Sequence, residues 1–542
     1  MRKDVKQICR QNDHLTGINQ TWMSYYQDLA NFTLPRKAWI NSIKWTGETL
    51  KYNFLYDTRM IKAAKKCAAG FHSQLSNPAS KWWGMTTKDI KFRDSRASQF
   101  HFKEVEDILY SLMGSSNFDD TIQEHYMDRI VFGTGNICTL EDSIDTVRYT
   151  EIPVEQYNFE VDVKGRTCAM YRNFQWSAVQ CWMEWGERCS KEIKDAIRDE
   201  KFYIMFDLLH YVGPRDRRDV GKKDKYNKPW ESLWIVKKER HILEEGGFNE
   251  FPYEVGVFWK DVNDPRGYSP AMDVLANGKL ANAQKRTIIK TAMQIAGPAH
   301  LLPDKGFVLP FNLNPHATNY YDAKKTNPEA FRQIESKGNI PLTLDMIKLE
   351  QDDIDDGFYV KLFESLSNIT KQMTIPEIQR RIAENMQMVG PAVGRMTGTL
   401  RNVLFRTYAI AQRAGKLPPA PKELQGQELE IMFLSPLAKA QRASEMTGIG
   451  AYMQAAEGIA QFKPEVVDGV DADRLLHIIG ELNGIDPTIE VDKKKIDQIR
   501  QGRAQQQAQM QKLVMAEQAA KAAHHGAQAA KAGQEAQTAG TA

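Results

Sequence analysis

Between residues 350 and 356 the chain places Glu350, Asp352, Asp353, Asp355 and Asp356. Carboxylates this close together suit a hard divalent cation, and a carboxylate-held metal is what an enzyme acting on nucleic acid would need. The spacing does not make a calcium loop, because Asp353 and Asp355 stand at the wrong intervals from Gly357. Acids are favoured at the positive end of a helix dipole, so the cluster is expected at the solvated start of a helix. In a ring-shaped protein the same acids would form a negative band along a channel.

The other reactive residue types form no recognisable centre. There is no G-x-x-x-x-G-K-[ST] loop to cradle a triphosphate, and no H-E-x-x-H, G-x-S-x-G or paired Cys/His zinc spacing. "GTGNIC" at 133–138 begins like a dinucleotide fingerprint but lacks the third glycine, which leaves a tight turn. His524 and His525 fall in a low-complexity tail. The six cysteines, Cys9, Cys67, Cys138, Cys168, Cys181 and Cys189, include no C-x-x-C and read as buried, reduced thiols. No catalytic, cofactor-binding or metal-binding residue is assigned, and no cofactor is expected.

Two stretches could touch nucleic acid. "SQLSNPASKWWGM" (73–85) sets Trp82 beside Trp83 with only Lys81 adjacent, whereas base-stacking platforms come with more positive charge. Neighbouring side chains leave a strand on opposite faces, so the pair is expected to be pinned between packed layers. "RDRRDVGKKDKYNK" (215–228) reads as a solvated turn or, alternatively, as a loop facing phosphates.

The scaffold that must position these residues is large. A chain of 542 residues suggests about three or four structural units. Its 72 basic and 69 acidic residues leave a net charge of +3, too balanced for a protein that grips nucleic acid over its whole surface. The opening "MRKDVKQICRQNDHL" has no apolar core of a signal peptide, and no apolar run reaches about 18 residues. A soluble protein, intracellular where it is made, is expected.

Helical spacing dominates the first 140 residues, including Ile61, Ala64, Ala68, Phe71 and Leu75, with further helices from about Phe100 to Met113 and Asp119 to Phe132. From about 145 to 260 the pattern turns to strands, with a hairpin through Tyr157, Phe159 and Val161, Lys164-Gly165, and Cys168, Met170 and Arg172. Ser269-Pro270 opens a helix to about Ala296. Residues 298–342 show little periodicity. Thr374 and Glu377 form a capping box for a helix of about 40 residues ending near Gly415, with a kink expected at Gly390-Pro391. Helices are expected again from 436 to about 485, and the Ala/Gln tract after Ala504 is expected to be helical in its first half and weakly ordered beyond.

Five segments, in this order, resemble the portal (head-to-tail connector) proteins of podovirus-type, short-tailed bacteriophages. They are "LYDTRMIKAAKKCAAGFHSQLSNPASKWWGM" (55–85), "FNEFPYEVGVFWKDVNDPRGYSPAMDVLANGKLANAQK" (248–285), "MTIPEIQRRIAENMQMVGPAVGRMTGTLRNVLFR" (373–406), "FLSPLAKAQRASE" (433–445) and "IRQGRAQQQ" (499–507). One departure is Gly256-Val257-Phe258-Trp259, where such proteins often carry an arginine just before the tryptophan.

The resemblance implies an α+β, mainly helical ring subunit with wing, stem, clip and crown. Residues 1–268 would be the wing, 269–297 a stem helix and 298–342 the clip. Residues 343–374 would hold a second stem helix and the tunnel loop, and 375–435 the long helix returning to wing and crown. The crown would be 436–503, followed by a tail, 504–542, either a barrel-like helix or disordered. The implied protein is no enzyme but a homo-oligomeric ring of about twelve copies at one capsid vertex of the virion, assembled in the host cytoplasm. Its implied partners are double-stranded DNA in the channel, a terminase ATPase, major capsid and scaffolding proteins, and tail adaptors, with no membrane. Lys285, Lys290 and Lys371 are the candidate channel residues that would guide DNA. Two rivals stand beside this reading: a nucleic-acid-processing enzyme built on the 350–356 cluster, and a peripheral structural or membrane-associated protein using the tail, which lacks the large apolar face required.

Overall fold

Small and apolar residues at helical spacing draw the N-terminal helices together around a β-rich insertion. The structure, a computed structural model, describes residues 4–539 apart from 42–53, 90–91, 93–94, 223, 262–263, 302–304, 306–307, 309, 311–317, 326–331, 334–339, 368–374, 423, 435–447, 460–461, 463–468 and 484–492. The chain divides into two units: Met1–Met85, Glu104–Pro419 and Ile431–Glu445 form the first, and Thr86–Lys103, Ala420–Glu430 and Met446–Ala542 the second.

The first elements are α1 (Val5–Thr33), α2 (Arg59–Leu75), β1 (Trp83–Thr87), α3 (Arg96–Ser115) and α4 (Phe118–Phe132). The helix expected at 61–75 is α2, which buries Ala64, Ala68, Phe71 and Leu75. Trp82 and Trp83 are both buried, as expected of a pinned pair. Trp82 stacks between Phe118, at 6.0 Å, and Phe433, at 6.3 Å, while Trp83 stacks on Tyr110 at 4.9 Å. The Tyr110 hydroxyl accepts the amides of Trp82 and Trp83 at 2.8 and 2.9 Å and donates to the Trp83 carbonyl at 2.9 Å.

Gly133 ends α4 in the left-handed region at φ +76°, where a side chain is strained. The "GTGNIC" segment is therefore a helix stop, and it leads into β2 (Thr134–Asp142) and β3 (Thr146–Ile152). Next come β4 (Tyr157–Val161), β5 (Thr167–Ser177), α5 (Ala178–Trp185), α6 (Lys191–Arg198), β6 (Met205–Pro214), β7 (Trp230–Val236), β8 (His241–Phe248) and β9 (Tyr253–Val257). They form a three-stranded sheet, β3-β2-β9, and a five-stranded sheet, β4-β5-β6-β7-β8, antiparallel throughout. The expected hairpin pairs Tyr157 with Arg172 across a turn in which Gly165 takes φ +74°.

Side-chain alternation along the strands gives the larger sheet two buried faces. On one, Tyr171, Leu209, Tyr211, Leu233 and Ile235 receive Ile8 and Cys9 of α1. On the other, Leu208, Val236 and Leu243 are covered by Cys181, Trp185, Cys189 and Ile193. That second cover corrects the sequence reading of 145–260, which held strands and a charged loop but no helix. Ser177 starts the missed helices with a capping box: its amide donates to Gln180 Oε1 at 2.9 Å and its hydroxyl accepts from the Gln180 amide.

The chain leaves the β-rich part where it entered. The Phe258 amide donates to the Gly133 carbonyl at 2.9 Å, and the Ser269 hydroxyl to the Val131 carbonyl at 2.8 Å. Beyond lie α7 (Pro270–Asp273) and α8 (Leu275–Ala296), a helix pair where one helix was expected; the break is at Val274, whose ψ is 7°. Ser269 caps the first, accepting from the Met272 amide at 3.2 Å. Short strands β10 (His300–Leu301) and β11 (Arg332–Gln333) pair antiparallel. The unit continues with α9 (Ile340–Gly357), α10 (Val360–Ser367) and α11 (Ile375–Arg413), and β12 (Leu429–Phe433) pairs with β1. Helix α11 runs through Pro391 as one element of 39 residues, about 58 Å long at 1.5 Å per residue. Thr374 of the expected capping box lies outside the described residues.

In the second unit, α12 covers 448–459, α13 Ala472–Asn483 and α14 Lys493–Ala539. Helix α14 corrects the expectation that the tail's end would lose order. Alanine has the highest helix propensity, and the tract keeps it to Ala539 without large apolar groups. Met510, Leu513, Val514 and Met515 are 50–70% exposed on it. Among the described residues no helix is long and apolar enough to cross a membrane.

Candidate functional site

The acidic cluster does not start a helix. It occupies the last two turns of α9, where the dipole is negative and acids are unfavourable. The surrounding side chains compensate. Arg59 at the N-terminus of α2 forks onto Asp355, with Nε donating to Oδ1 at 2.7 Å and a guanidinium nitrogen pairing with Oδ2. Lys361 pairs with Asp356 at 2.8 Å, and Asn277 of α8 donates to Glu350 at 2.8 Å and Asp353 at 3.3 Å. Among the described residues no three metal-ligating side chains converge on a shared point.

A second carboxylate completes this junction. The buried Asp57 carboxylate accepts the Arg59 amide at 2.6 Å, Gln351 of α9 at 2.8 Å and Lys285 of α8 at 2.8 Å. Burial opposes its ionisation, but these hydrogen bonds outweigh burial and hold its carboxyl below the ordinary range. Asn282 fastens the same strand of chain, accepting the Tyr56 and Asp57 amides at 2.6 and 3.0 Å. Carboxylates and cations of this region thus lock α2, α8 and α9 together. Lys285 belongs to that lock; Lys290 is exposed further along α8, and Lys371 lies outside the described residues.

The two locked helices present apolar side chains outward. Ile289, Met293 and Ile295 of α8 are 39%, 66% and 52% exposed, and Leu342 and Leu349 of α9 are 58% and 66% exposed. A lone chain would show this surface to water.

The C-terminal part of α11 is fixed to the three-stranded sheet by arginines. Buried Arg406 donates to the Thr139 carbonyl at 2.7 Å and the Glu250 carbonyl at 2.8 Å. Arg413 pairs with Glu141 at 2.8 Å and Glu250 at 2.7 Å. Arg129 of α4, fully buried, donates to the Val257 carbonyl and to Thr399 of α11 at 3.3 Å; burial pulls its guanidinium down to about 10. Arg395 of α11 reaches the ring of Trp259, at 5.4 Å, and donates to the Phe258 carbonyl at 3.2 Å. The Trp259 that lacks a preceding arginine in sequence therefore meets one from another element. A cavity of about 180 Å³ opens beside these contacts, lined by Thr139, Phe251, Tyr253, Asn402 and Arg406 among others. Five of the six cysteines are buried as expected and Cys168 is half-buried; no disulfide joins them, and burial pushes the Cys138 thiol up to about 11 and Cys181 to about 12.

A family model described as "Bacteriophage head to tail connecting protein" matches residues 5–490. The chain belongs to that family. The connector is 27% identical over 507 residues to the "Probable portal protein" of Bordetella phage BPP-1, covering 92% of this chain and 91% of that one. It is 26% identical over 530 residues to the "Portal protein" of Salmonella phage epsilon15, covering 96% and 94%. A solved structure titled "Neck of empty GTA particle computed with C6 symmetry" aligns over 78% of the connector and 90% of its own chain, with a TM-score of 0.36 at 11% identity. The buried arginines Arg129 and Arg406 tie the helices of this unit to its three-stranded sheet. Sequence reasoning missed Arg129 and Arg406: Arg406 is a cation on the apolar side of an amphipathic helix, while Arg129 lies in a helix buried nearly all round that offers no such pattern.

Proposed function

We propose that the connector is the portal of a short-tailed phage, a ring at one capsid vertex through which double-stranded DNA is packaged and ejected. The observation that carries the reading is the head-to-tail connecting family match over residues 5–490, with near-complete alignment to two proteins named portal. Exposed apolar side chains on two helices support the reading. Helices α8 and α9 leave Ile289, Met293, Leu342 and Leu349 exposed, and copies arranged around an axis would cover such side chains. By position, α8 and α9 would be stem, 298–342 clip, 365–374 tunnel loop, and 436–503 crown. Lys290 and Lys371 are assigned to guide the duplex; Lys285, tied to Asp57, would hold the stem to α2. About twelve copies, a terminase ATPase, capsid and scaffolding proteins, tail adaptors and assembly in the host cytoplasm complete the proposal, with no catalysis by the connector itself. Mass photometry of the purified protein tests it. About 740 kDa is expected for twelve chains of 61.9 kDa, and negative-stain images should show rings. Only monomers or dimers at micromolar concentration, with and without scaffolding protein, would refute it.

A further inference from the structure

The loop joining β6 to β7 is strongly basic. Residues 216–228 hold six lysines and arginines against three aspartates, a net +3 that equals the net charge of all 542 residues, so the rest of the chain sums to zero. Two of the three acids are engaged in shaping the loop. Asp219 accepts the Gly221 amide at 3.1 Å; Asp224 accepts the Tyr226 amide at 2.9 Å and the Asn227 side chain at 3.0 Å. Asn227 in turn accepts the Asp219 amide at 2.8 Å, closing the loop on itself. At its foot Arg215 is buried against Glu245, at 3.3 Å, and donates to the Gly246 carbonyl at 2.6 Å, so this cation anchors the loop. What projects is mainly positive, beside the exposed Asp216 and Asp219. Arg217 and Arg218 are exposed and make no ion pair among the described residues. Lys222 and Lys225 keep 65% and 48% exposure, with their nearest acids at 3.5 and 3.9 Å. Tyr226 is 50% exposed beneath Lys225, 5.3 Å from its ring.

A polyanion with closely repeated charge fits this shape better than a folded acidic protein does. Protein interfaces need a buried apolar centre, and the loop offers only Val220 and Tyr226. Duplex DNA needs none, since lysines and arginines bind its phosphates by releasing counterions. We propose that the 215–228 loop is a binding site for the sugar–phosphate backbone of duplex DNA, distinct from the channel lysines. The choice of duplex DNA rests on the portal reading.

The test uses the full-length connector and a labelled, relaxed, covalently closed circular duplex, which cannot thread a ring. Affinity is measured by anisotropy or gel shift across about 50–200 mM salt for the native chain, for Arg217→Gln/Arg218→Gln, and for Arg217→Lys/Arg218→Lys. Each phosphate contact contributes about 0.9 to the slope of log affinity against log salt. The glutamine variant should lose about 1.8 of slope and about tenfold or more of affinity at low salt, and the lysine variant should keep both. Native-like binding by the glutamine variant would overturn the proposal, as would a native chain that ignores circles. Tighter loop-dependent binding to poly-glutamate than to DNA would overturn it in favour of an acidic protein partner. Mass photometry on the same samples separates the two readings: rings whose circle binding is indifferent to the loop sink this inference alone, while loop-dependent binding without rings sinks the portal alone.

Discussion

Tyr110→Phe removes one oxygen and should loosen the tryptophan strand out of proportion to its size. The hydroxyl takes amide hydrogen bonds from Trp82 and Trp83 at 2.8 and 2.9 Å and gives one to the Trp83 carbonyl at 2.9 Å. Phenylalanine keeps the ring stack on Trp83, so apolar burial is nearly unchanged and only polar partners are lost. A buried donor or acceptor left unmade costs about 1–3 kcal/mol. Because two amides share one oxygen, the three losses together amount to about 2–4 kcal/mol. The connector is too large for a two-state unfolding measurement, so hydrogen exchange of a peptide spanning 76–86 is the assay. At tenfold per 1.4 kcal/mol, the Trp82 and Trp83 amides should exchange about 30- to 700-fold faster. Amides of α1, packed elsewhere in the same unit, should keep their rates. An acceleration below about threefold would mean that water or the backbone replaces the hydroxyl, and that the strand is held by ring packing alone.

Three further outcomes follow from the joints. Arg406→Met should destabilise the first unit by about 2–4 kcal/mol, because the Thr139 and Glu250 carbonyls lose their buried donor; exchange rates along 395–413 report it, and unchanged rates would show the arginine to be dispensable. Asp128 is buried beside Lys37, and burial, with Glu151 and Glu124 opposing Lys37, pushes its carboxyl up to about 7. A raised carboxyl binds protons in the folded state, so its contribution is full below about pH 4 and is lost as pH rises to about 7. Asp128→Asn should therefore flatten thermal stability across that window, and an unchanged profile would refute the assignment. Deleting 504–542 should leave ring mass and melting temperature nearly unaltered, since the Arg500–Asp473 bridge at 2.7 Å is retained and the described residues beyond it are exposed; loss of rings would show that the tail holds copies together.

Legibility in the sequence followed the range of the interactions. Helix α11 was plain because its apolar residues recur in steps of three and four, and the 157–172 hairpin because Lys164-Gly165 marks its turn. Helix α5 was hidden because its valine, cysteine and tryptophans favour strands as readily as a short helix, whereas α6 carried a helical signal in Ile193, Ala196 and Ile197 that the surrounding strand pattern masked. The acidic cluster was assigned to the wrong end of its helix. Its compensating cation, Arg59, lies 296 residues away from Asp355, and no local rule anticipates that. Arg406 was unreadable for the same reason, its carbonyl partner at Thr139 being 267 residues distant. The exposed loop 215–228 could be located from composition, but its internal hydrogen bonds could not.

Gly133 and Gly267 meet backbone to backbone, and a Cβ on either would collide with the carbonyl of the other. Between them lie all of β2 to β9, so a stretch of more than a hundred residues enters and leaves the helical frame through one narrow neck. Such an arrangement decouples lineages of change. Hairpins inside the neck can lengthen, shorten or acquire new charge while α4 and α7 keep their mutual position through Val131 and Ser269. The neck itself has no such freedom: because each collision involves main chain, no second substitution elsewhere relieves a side chain at either glycine. Drift should therefore treat the β-rich part as an exchangeable cassette and the two glycines as its fixed socket, which also makes the neck the natural place to graft a foreign domain onto the connector.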